Sequence, residues 1–103
     1  MLVIVEISIV PLGVGTSVSK YIKSAIEALE RSGAKYRVGP MSTSFEADSV
    51  EKALEVVKLM HEAVFEAGAQ RVVTTVKIDD RRDKPASMES KLASLGFEPS
   101  ASQ

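Results

Sequence analysis

Cysteine and tryptophan are absent from this 103-residue sequence, and only 5% of its residues are aromatic. Without cysteine the chain can form no disulfide, no thiolate metal site and no thiol nucleophile. No apolar run approaches the roughly 20 residues that span a bilayer. The apolar first residues also lack the basic region and the small-residue cleavage site of a signal peptide. We therefore expect a cytoplasmic protein that does not engage a membrane.

An excess of basic charge is also lacking, because 13 lysines and arginines face 14 acidic residues and give a net charge of -1. A protein that binds nucleic acid regardless of sequence needs a basic surface, so we expect no nucleic-acid partner. The length suits one domain with one hydrophobic core, and 45% of the residues are hydrophobic. We therefore predict a single domain over residues 1–103.

The segment 3–10 (VIVEISIV) alternates between two kinds of side chain. Its odd positions are all apolar and β-branched, as expected of the core face of a strand. Its even positions include Glu6 and Ser8 between Ile4 and Val10. A strand this apolar is typical of the middle of a sheet. Glu6 must then face water, a ligand or a partner subunit.

A first helix is predicted after the turn at residues 11–17, with Thr16 or Ser17 as its cap. Apolar residues recur at helical spacing from Val18 to Leu29, and Gly33 stands where a helix would end. Two short strands follow at 35–38 and 43–47, separated by a turn containing a proline.

Asp48 is predicted to open a second helix that ends at Gly68, with Glu51 completing a capping box. Its buried stripe is predicted to consist of Val50, Leu54, Val57, Met60 or His61, and Val64, widened by Val56, Leu59 and Ala63. A fourth strand at 71–78, a charged loop at 79–85 and a short helix at 87–95 complete the chain.

This order of elements predicts an α+β, ferredoxin-like β-α-β-β-α-β sandwich with a short C-terminal helix. Right-handed crossovers give an antiparallel sheet in the order 4-1-3-2, with both long helices on one face. The other face, called here the open face, is expected to be bare. Its outward positions on the first, third and fourth strands are predicted to be Ile4, Glu6, Ser8, Val10, Ser44, Glu46, Val73, Thr75 and Lys77.

Three uses of the open face compete. It can be solvated or packed against a second copy, which would cover its apolar edge positions. It can hold a polar or cationic small molecule through Glu6 or Glu46, although Lys77 is an equally simple partner for either carboxylate. It can bind RNA by stacking bases on aromatic residues, but its outward positions lack aromatics and Phe45 faces the core. Carboxylates would also repel phosphate.

Catalytic signals are weak. His61 lies beside the apolar stripe of the second helix, where a half-buried structural role is the simpler interpretation. The sequence holds no metal-ligand cluster, no nucleophile with a base and no complete phosphate-binding motif. The Arg81-Arg82 pair among aspartates is most simply a salt-bridged loop, with an anion site or subunit contact as the alternative. We therefore expect neither an enzyme nor a cofactor.

Several motifs resemble one known family across nearly the whole chain, in order and at similar spacing. They are 6–13 (EISIVPLG), 17–21 (SVSKY), 35–36 (KY), 39–47 (GPMSTSFEA), 61–65 (HEAVF), 71–75 (RVVTT) and 78–83 (IDDRRD). These segments resemble the thiamine-binding (YkoF-like) family, formerly an uncharacterised protein family. The resemblance implies a ferredoxin-like domain that assembles as a homodimer or homotetramer through its sheets. It also implies a non-enzymatic site on the open face for thiamine or its hydroxymethylpyrimidine part.

Thiamine joins a cationic thiazolium to an aminopyrimidine, and a carboxylate in a partly dry site can pair with either. Glu46 is the first candidate because it lies in the most recognisable segment, and Glu6 is the second. Thr43 is the third, although alternation turns it inward. Further hydrogen bonds are expected from Ser8, Ser44 and Thr75, with Met41 in an apolar wall.

The rival hypothesis is an oligomeric interaction module whose open face is filled by a second subunit, with the glutamates paired to Lys77 or Arg37. A third hypothesis, an enzyme acting on a thiamine-related compound, would need a catalytic base that the sequence does not show.

Overall fold

A four-stranded antiparallel sheet with two long helices on one face forms the body of the computed structural model, which describes residues 2–97. The strand order is β2-β3-β1-β4, so the predicted fold class and the predicted order 4-1-3-2 are confirmed. The elements are β1 (Val3–Pro11), α1 (Ser19–Arg31), β2 (Tyr36–Val38), β3 (Thr43–Ala47), α2 (Val50–Glu66), β4 (Val72–Asp79) and α3 (Met88–Ser94).

β1 lies in the middle of the sheet between β3 and β4, as its apolar composition predicts. Its odd-numbered side chains are buried against the helices, where they meet Phe45, Leu29 and Met60 in a single core. Cross-strand pairing places Ile7 opposite Thr43 and Glu6 opposite Ser44. The alternation therefore assigned both faces of β1 correctly.

The caps of the two long helices lie one or two residues later in the chain than predicted. Val18 precedes α1 and makes no side-chain capping bond, so the predicted caps Thr16 and Ser17 are wrong. Ser49 caps α2: its backbone is extended and its side chain accepts a hydrogen bond from Lys52 N at 3.1 Å. Asp48, the predicted cap, lies one residue before the observed cap, so that prediction is wrong.

The buried face of α2 is rotated relative to part of the predicted stripe: Val56, Met60, Ala63 and Val64 are buried as predicted, but Leu54 and Leu59 are exposed. Leu54 is 52% exposed, whereas the small residue Ala53 beside it is fully buried. α1 and α2 pack against each other, and small side chains at the contact let two helices approach closely. The buried residues on the two helices are Ala25, Ala28, Leu29, Ala53, Val56, Met60, Ala63 and Val64.

The open face is not bare, because α3 crosses one end of it. Glu46 and Ile4 are cross-strand neighbours on this face, and the first residue of α3, Met88, is buried beside Glu46. Lys35 pairs with Glu89 in the first turn of α3. Periodicity predicted the helix but carried no information on where seven residues would dock.

Candidate functional site

The sheet is incomplete beside the second half of β1. β1 runs from Val3 to Pro11, but β3 pairs with it only from Val3 to Ile7. β4 pairs with β1 as far as Pro11, so the gap lies on the β3 side alone. The chain reverses direction there in the turn 39–42, which is closed by a hydrogen bond from Gly39 N to Ser42 O.

A cavity of about 250 Å³ occupies this gap. It lies between the first half of α1, the free edge of β1 and the 39–42 turn, and we call it the gap cavity. Its walls are largely apolar, as in most small-molecule sites. The residues that line it are Ile7, Ser8, Ile9, Val10, Val18, Ile22, Ala25, Ile26, Val38, Gly39, Pro40, Met41, Ser42, Thr43 and Met60.

Thr43 places a nearly buried hydroxyl at the gap cavity. The residue is only 7% exposed and lines the cavity. No buried side-chain nitrogen or oxygen among residues 2–97 lacks a hydrogen-bond partner, so Thr43 is not an unsatisfied buried group. Its hydroxyl can still donate a hydrogen bond to, or accept one from, a molecule bound in the cavity.

Glu6 lies on the open face next to the gap cavity. Ser42, which lines the cavity, donates a hydrogen bond from Oγ to Glu6 Oε2 at 3.2 Å. Lys77 Nζ lies 4.0 Å from Glu6 Oε1, and the Glu6 side chain is half exposed. An exposed pair at this distance is weak. Glu6 therefore keeps the capacity to accept hydrogen bonds or to attract a cation.

Glu46 lies elsewhere. It is 8% exposed, and its Oε2 accepts a hydrogen bond from Met88 N at 2.7 Å. It lies three positions after Thr43 on β3, which is about 10 Å along an extended strand, and the two side chains face opposite sides of the sheet. Glu46 borders a second depression together with Lys35 and Lys52. A contact between Glu46 and a ligand stays a prediction.

The other predicted site residues divide between the gap cavity and the open face. Ser8 and the highly exposed Met41 line the cavity with Thr43. Ser44 lies opposite Glu6, and Thr75 lies opposite Ser8 on β4. The structure thus brings Thr43, Ser8 and Met41 together, with Glu6 attached through Ser42.

Sequence reasoning missed the helical wall of the cavity, formed by Val18, Ile22 and Ile26, and also missed Ser42. The signal that could have found them is the difference in length between the segments 3–10 and 43–47. A long central strand beside a short partner leaves part of its edge uncovered.

Residues outside this region have structural partners. His61 Nδ1 and Thr74 Oγ1 share a hydrogen bond of 2.6 Å, and the His61 ring meets Phe65 edge-on. In the charged loop, Arg81 pairs with Asp83 and Arg82 pairs with Asp80, as predicted. Each arginine lowers the pKa of its aspartate by hydrogen bonding.

Two further features are absent from residues 2–97. No cluster of three or more histidines, aspartates or glutamates in this range could hold a metal ion. None of the helices in the same range combines the length and apolarity needed to cross a bilayer.

Comparison with known proteins identifies the family. The model of the "Thiamine-binding protein" family matches residues 5–96. The chain belongs to this family. A UPF0045 protein of Methanothermobacter thermautotrophicus is 43% identical over 91 residues, which cover 87% of this chain and 92% of that protein. A UPF0045 protein of Bacillus subtilis is 39% identical and covers 89% of this chain and 92% of its own length.

Solved structures agree with the fold. A protein of Methanocaldococcus jannaschii described as hypothetical superposes with a TM-score of 0.85 at 41% identity, covering 92% of this chain and 96% of that chain. A Thermotoga maritima protein described as a candidate thiamine biosynthesis/salvage protein has a TM-score of 0.78 at 29% identity. The match covers 92% of this family member and 99% of that chain.

Proposed function

We propose that this protein binds thiamine or its hydroxymethylpyrimidine part in the gap cavity, without a catalytic step. The observation that carries the proposal is a mostly apolar cavity of one-ring size that the nearly buried Thr43 borders. Membership of a thiamine-binding family and the description of the Thermotoga maritima neighbour support the choice of ligand.

The size of the cavity suggests which part of thiamine it holds. Its volume of about 250 Å³ lies below the roughly 300–1,000 Å³ of sites that take drug-sized molecules. One heterocyclic ring suits this space better than two rings. We therefore assign the neutral pyrimidine to the cavity and the thiazolium to its mouth.

Glu6 supplies the charge that this arrangement needs. Its carboxylate is bound to Ser42 at the edge of the cavity, and it is half exposed. A permanently cationic thiazolium at the mouth would be attracted to Glu6, and the weak contact with Lys77 would compete little. Glu6 then contributes to thiamine binding and has no charge to pair with in free hydroxymethylpyrimidine.

Isothermal titration calorimetry with thiamine and with hydroxymethylpyrimidine at pH 8 tests the proposal. We expect saturable binding of both compounds. Thr43→Val should weaken both about fivefold, because a net hydrogen bond is worth about 1 kcal/mol. Glu6→Gln should weaken thiamine alone. Glu27→Gln on the exposed side of α1 is the matched control. Absence of heat from folded, ligand-free protein would refute the proposal.

We also propose that the uncovered part of the open face packs against a second copy of the chain. Val10 and Val73 are cross-strand neighbours there, and each is nearly half exposed. Sedimentation velocity should show an oligomer that Val73→Asp dissociates and Leu54→Asp, on α2, leaves intact. A monomeric wild type, or an oligomer indifferent to Val73→Asp, would contradict this interface.

A further inference from the structure

α3 is attached to the rest of the fold more loosely than the other elements are. Within residues 2–97, each strand and each long helix packs extensively on at least one other element, whereas α3 does not. Met88 is the buried residue of α3, and Leu95 just beyond the helix is 71% exposed. Little apolar surface therefore holds α3 on the open face.

Polar contacts supply the rest of the attachment, and each of them depends on a carboxylate. They are the hydrogen bond from Met88 N to Glu46 Oε2, the pair of Lys35 with Glu89, and the pair of Lys91 with Asp79 at 2.5 Å. Both ion pairs are about half exposed, and exposed pairs are weak. The bond to Glu46 is buried and charge-assisted, which makes it the strongest of the three. Protonation of the carboxylates weakens all three contacts.

The short length of α3 couples its docking to its folding. A helix of seven residues is shorter than the roughly 12–15 residues at which an isolated helix becomes marginally stable in water. Its capping box joins Ser87 to Ser90 and moves with the helix. The ion pairs of the preceding exposed loop also close within the loop itself. Because these local contacts do not depend on the sheet, α3 can leave it and unfold as a local unit.

We propose that α3 is an acid-released strap on the open face. When the carboxylates that hold it are protonated, α3 leaves the sheet and unfolds, while the sheet and the two long helices stay folded. Release uncovers the Glu46 side chain and separates Asp79 from Lys91. The strap therefore covers this end of the open face at neutral pH and opens it in acid, whichever ligand the gap cavity holds.

The charges around α3 favour release in acid. Those that face it from the sheet side are on Lys35, Arg37, Glu46 and Asp79, and α3 itself carries Glu89 and Lys91. The hydrogen bond from Lys35, together with the charge of Arg37, holds the pKa of the Glu89 carboxyl below its ordinary value. This contribution to docking is complete above the ordinary value and is lost as the pH falls through the lowered pKa. Lys35 and Lys91 then keep their positive charges while their carboxylate partners are neutral.

Methionine methyl groups report the position of the strap in the unmodified protein. Met88 is 5% exposed beneath α3, Met60 is 1% exposed in the core, and Met41 is 87% exposed. We expect the NMR signal of a carbon-13-labelled Met88 methyl to move to the exposed position marked by Met41 between pH 7 and pH 3. The Met60 signal should stay at its core position. A Met88 signal that does not move, or that moves only together with Met60, would overturn the proposal.

Hydrogen exchange at pH 7 tests whether α3 opens as a unit. The amides of Met88 and Lys91 are bonded to Glu46 and to Ser87 O. We expect them to share one protection factor, at least tenfold below that of the amides in the middle of β1. Protection equal to that of β1 would place α3 in the same cooperative unit as the sheet and refute an independent strap.

Charge reversal tests the mechanism at constant pH. Glu89→Lys places a positive charge beside Lys35 and Arg37, so at pH 7 we expect the Met88 methyl at the position that the wild type reaches in acid. Glu62→Lys makes the same change of charge at an exposed position of α2, on the other side of the sheet, and should leave Met88 in place. A Met88 methyl still buried in Glu89→Lys, or displaced equally in both variants, would overturn the proposal.

Discussion

Replacing Glu46 should loosen α3 from the sheet, because the carboxylate is the acceptor for the first amide of that helix. The bond from Met88 N to Glu46 Oε2 is 2.7 Å long, and both residues are buried. The N–H groups of a first helical turn have no partner within the helix. Glu46→Ala would therefore leave a buried donor unpaired.

The expected size of this effect follows from the type of bond. Hydrogen bonds to charged groups contribute about 1.5–3 kcal/mol, and an unpaired buried donor costs about 1–3 kcal/mol. We expect Glu46→Ala to lower the free energy of unfolding by about 2 kcal/mol. For a domain near 100 residues this corresponds to a fall in Tm of roughly 8–16 °C. Glu46→Gln keeps an acceptor oxygen in place and should cost less than about 1 kcal/mol.

Urea unfolding followed by circular dichroism measures both variants, and hydrogen exchange at the Met88 amide reports the local contact. Faster exchange at Met88 in Glu46→Ala, with Glu46→Gln close to wild type, is the expected result. Equal losses in the two variants would show that the charge matters and not the acceptor. Two variants as stable as wild type would refute the anchoring role. Loss of thiamine binding in Glu46→Gln, with Met88 still protected, would instead support a ligand contact for Glu46.

Three further outcomes are expected, each measured by urea or thermal unfolding. Ser49→Ala should cost about 1 kcal/mol through loss of the α2 cap, whereas Asp48→Ala should cost less; the reverse order would restore Asp48 as the cap. Leu54→Lys should change stability by less than about 0.5 kcal/mol, as at other exposed positions, and a loss of several times that amount would contradict the rotated stripe of α2. Lys35 holds the pKa of the Glu89 carboxyl below its ordinary value, so the pair stabilises the fold above that ordinary value and ceases to do so as the pH falls through the lowered pKa. Glu89→Gln should thus be less stable than wild type at pH 7 and equal to it in strong acid, and a difference that persists in acid would contradict the pairing.

The sequence predicted the sheet well because alternation in β1 is a local property with a strong signal. The same alternation placed Glu6 and Glu46 outward and Thr43 inward, and the pairing register agrees with each assignment. Alternation could not reveal that α3 would cover Glu46, since the docking of a short helix depends on contacts far away in the chain. The rotation of α2 was missed for a similar reason: Leu54 is more apolar than Ala53, but the neighbouring helix favours the smaller side chain.

The gap cavity was not predicted because it belongs to no single element. It arises where β1 extends beyond the end of β3, and its polar side chains come from separate elements: Ser8 from β1, Ser42 from the turn and Thr43 from β3. The motif 39–47 includes the turn that borders the gap cavity. The same motif also includes Glu46, which lies near the far end of β3, away from the cavity.

The central position of β1 has a consequence for how the chain is made. β1 needs β4, which comes much later in the chain, as its neighbour, so one full edge of an apolar strand stays open until β4 has been synthesised. Pairings between distant parts of a chain form slowly, and exposed strand edges promote aggregation. Fragments that end before residue 72 should therefore aggregate during expression.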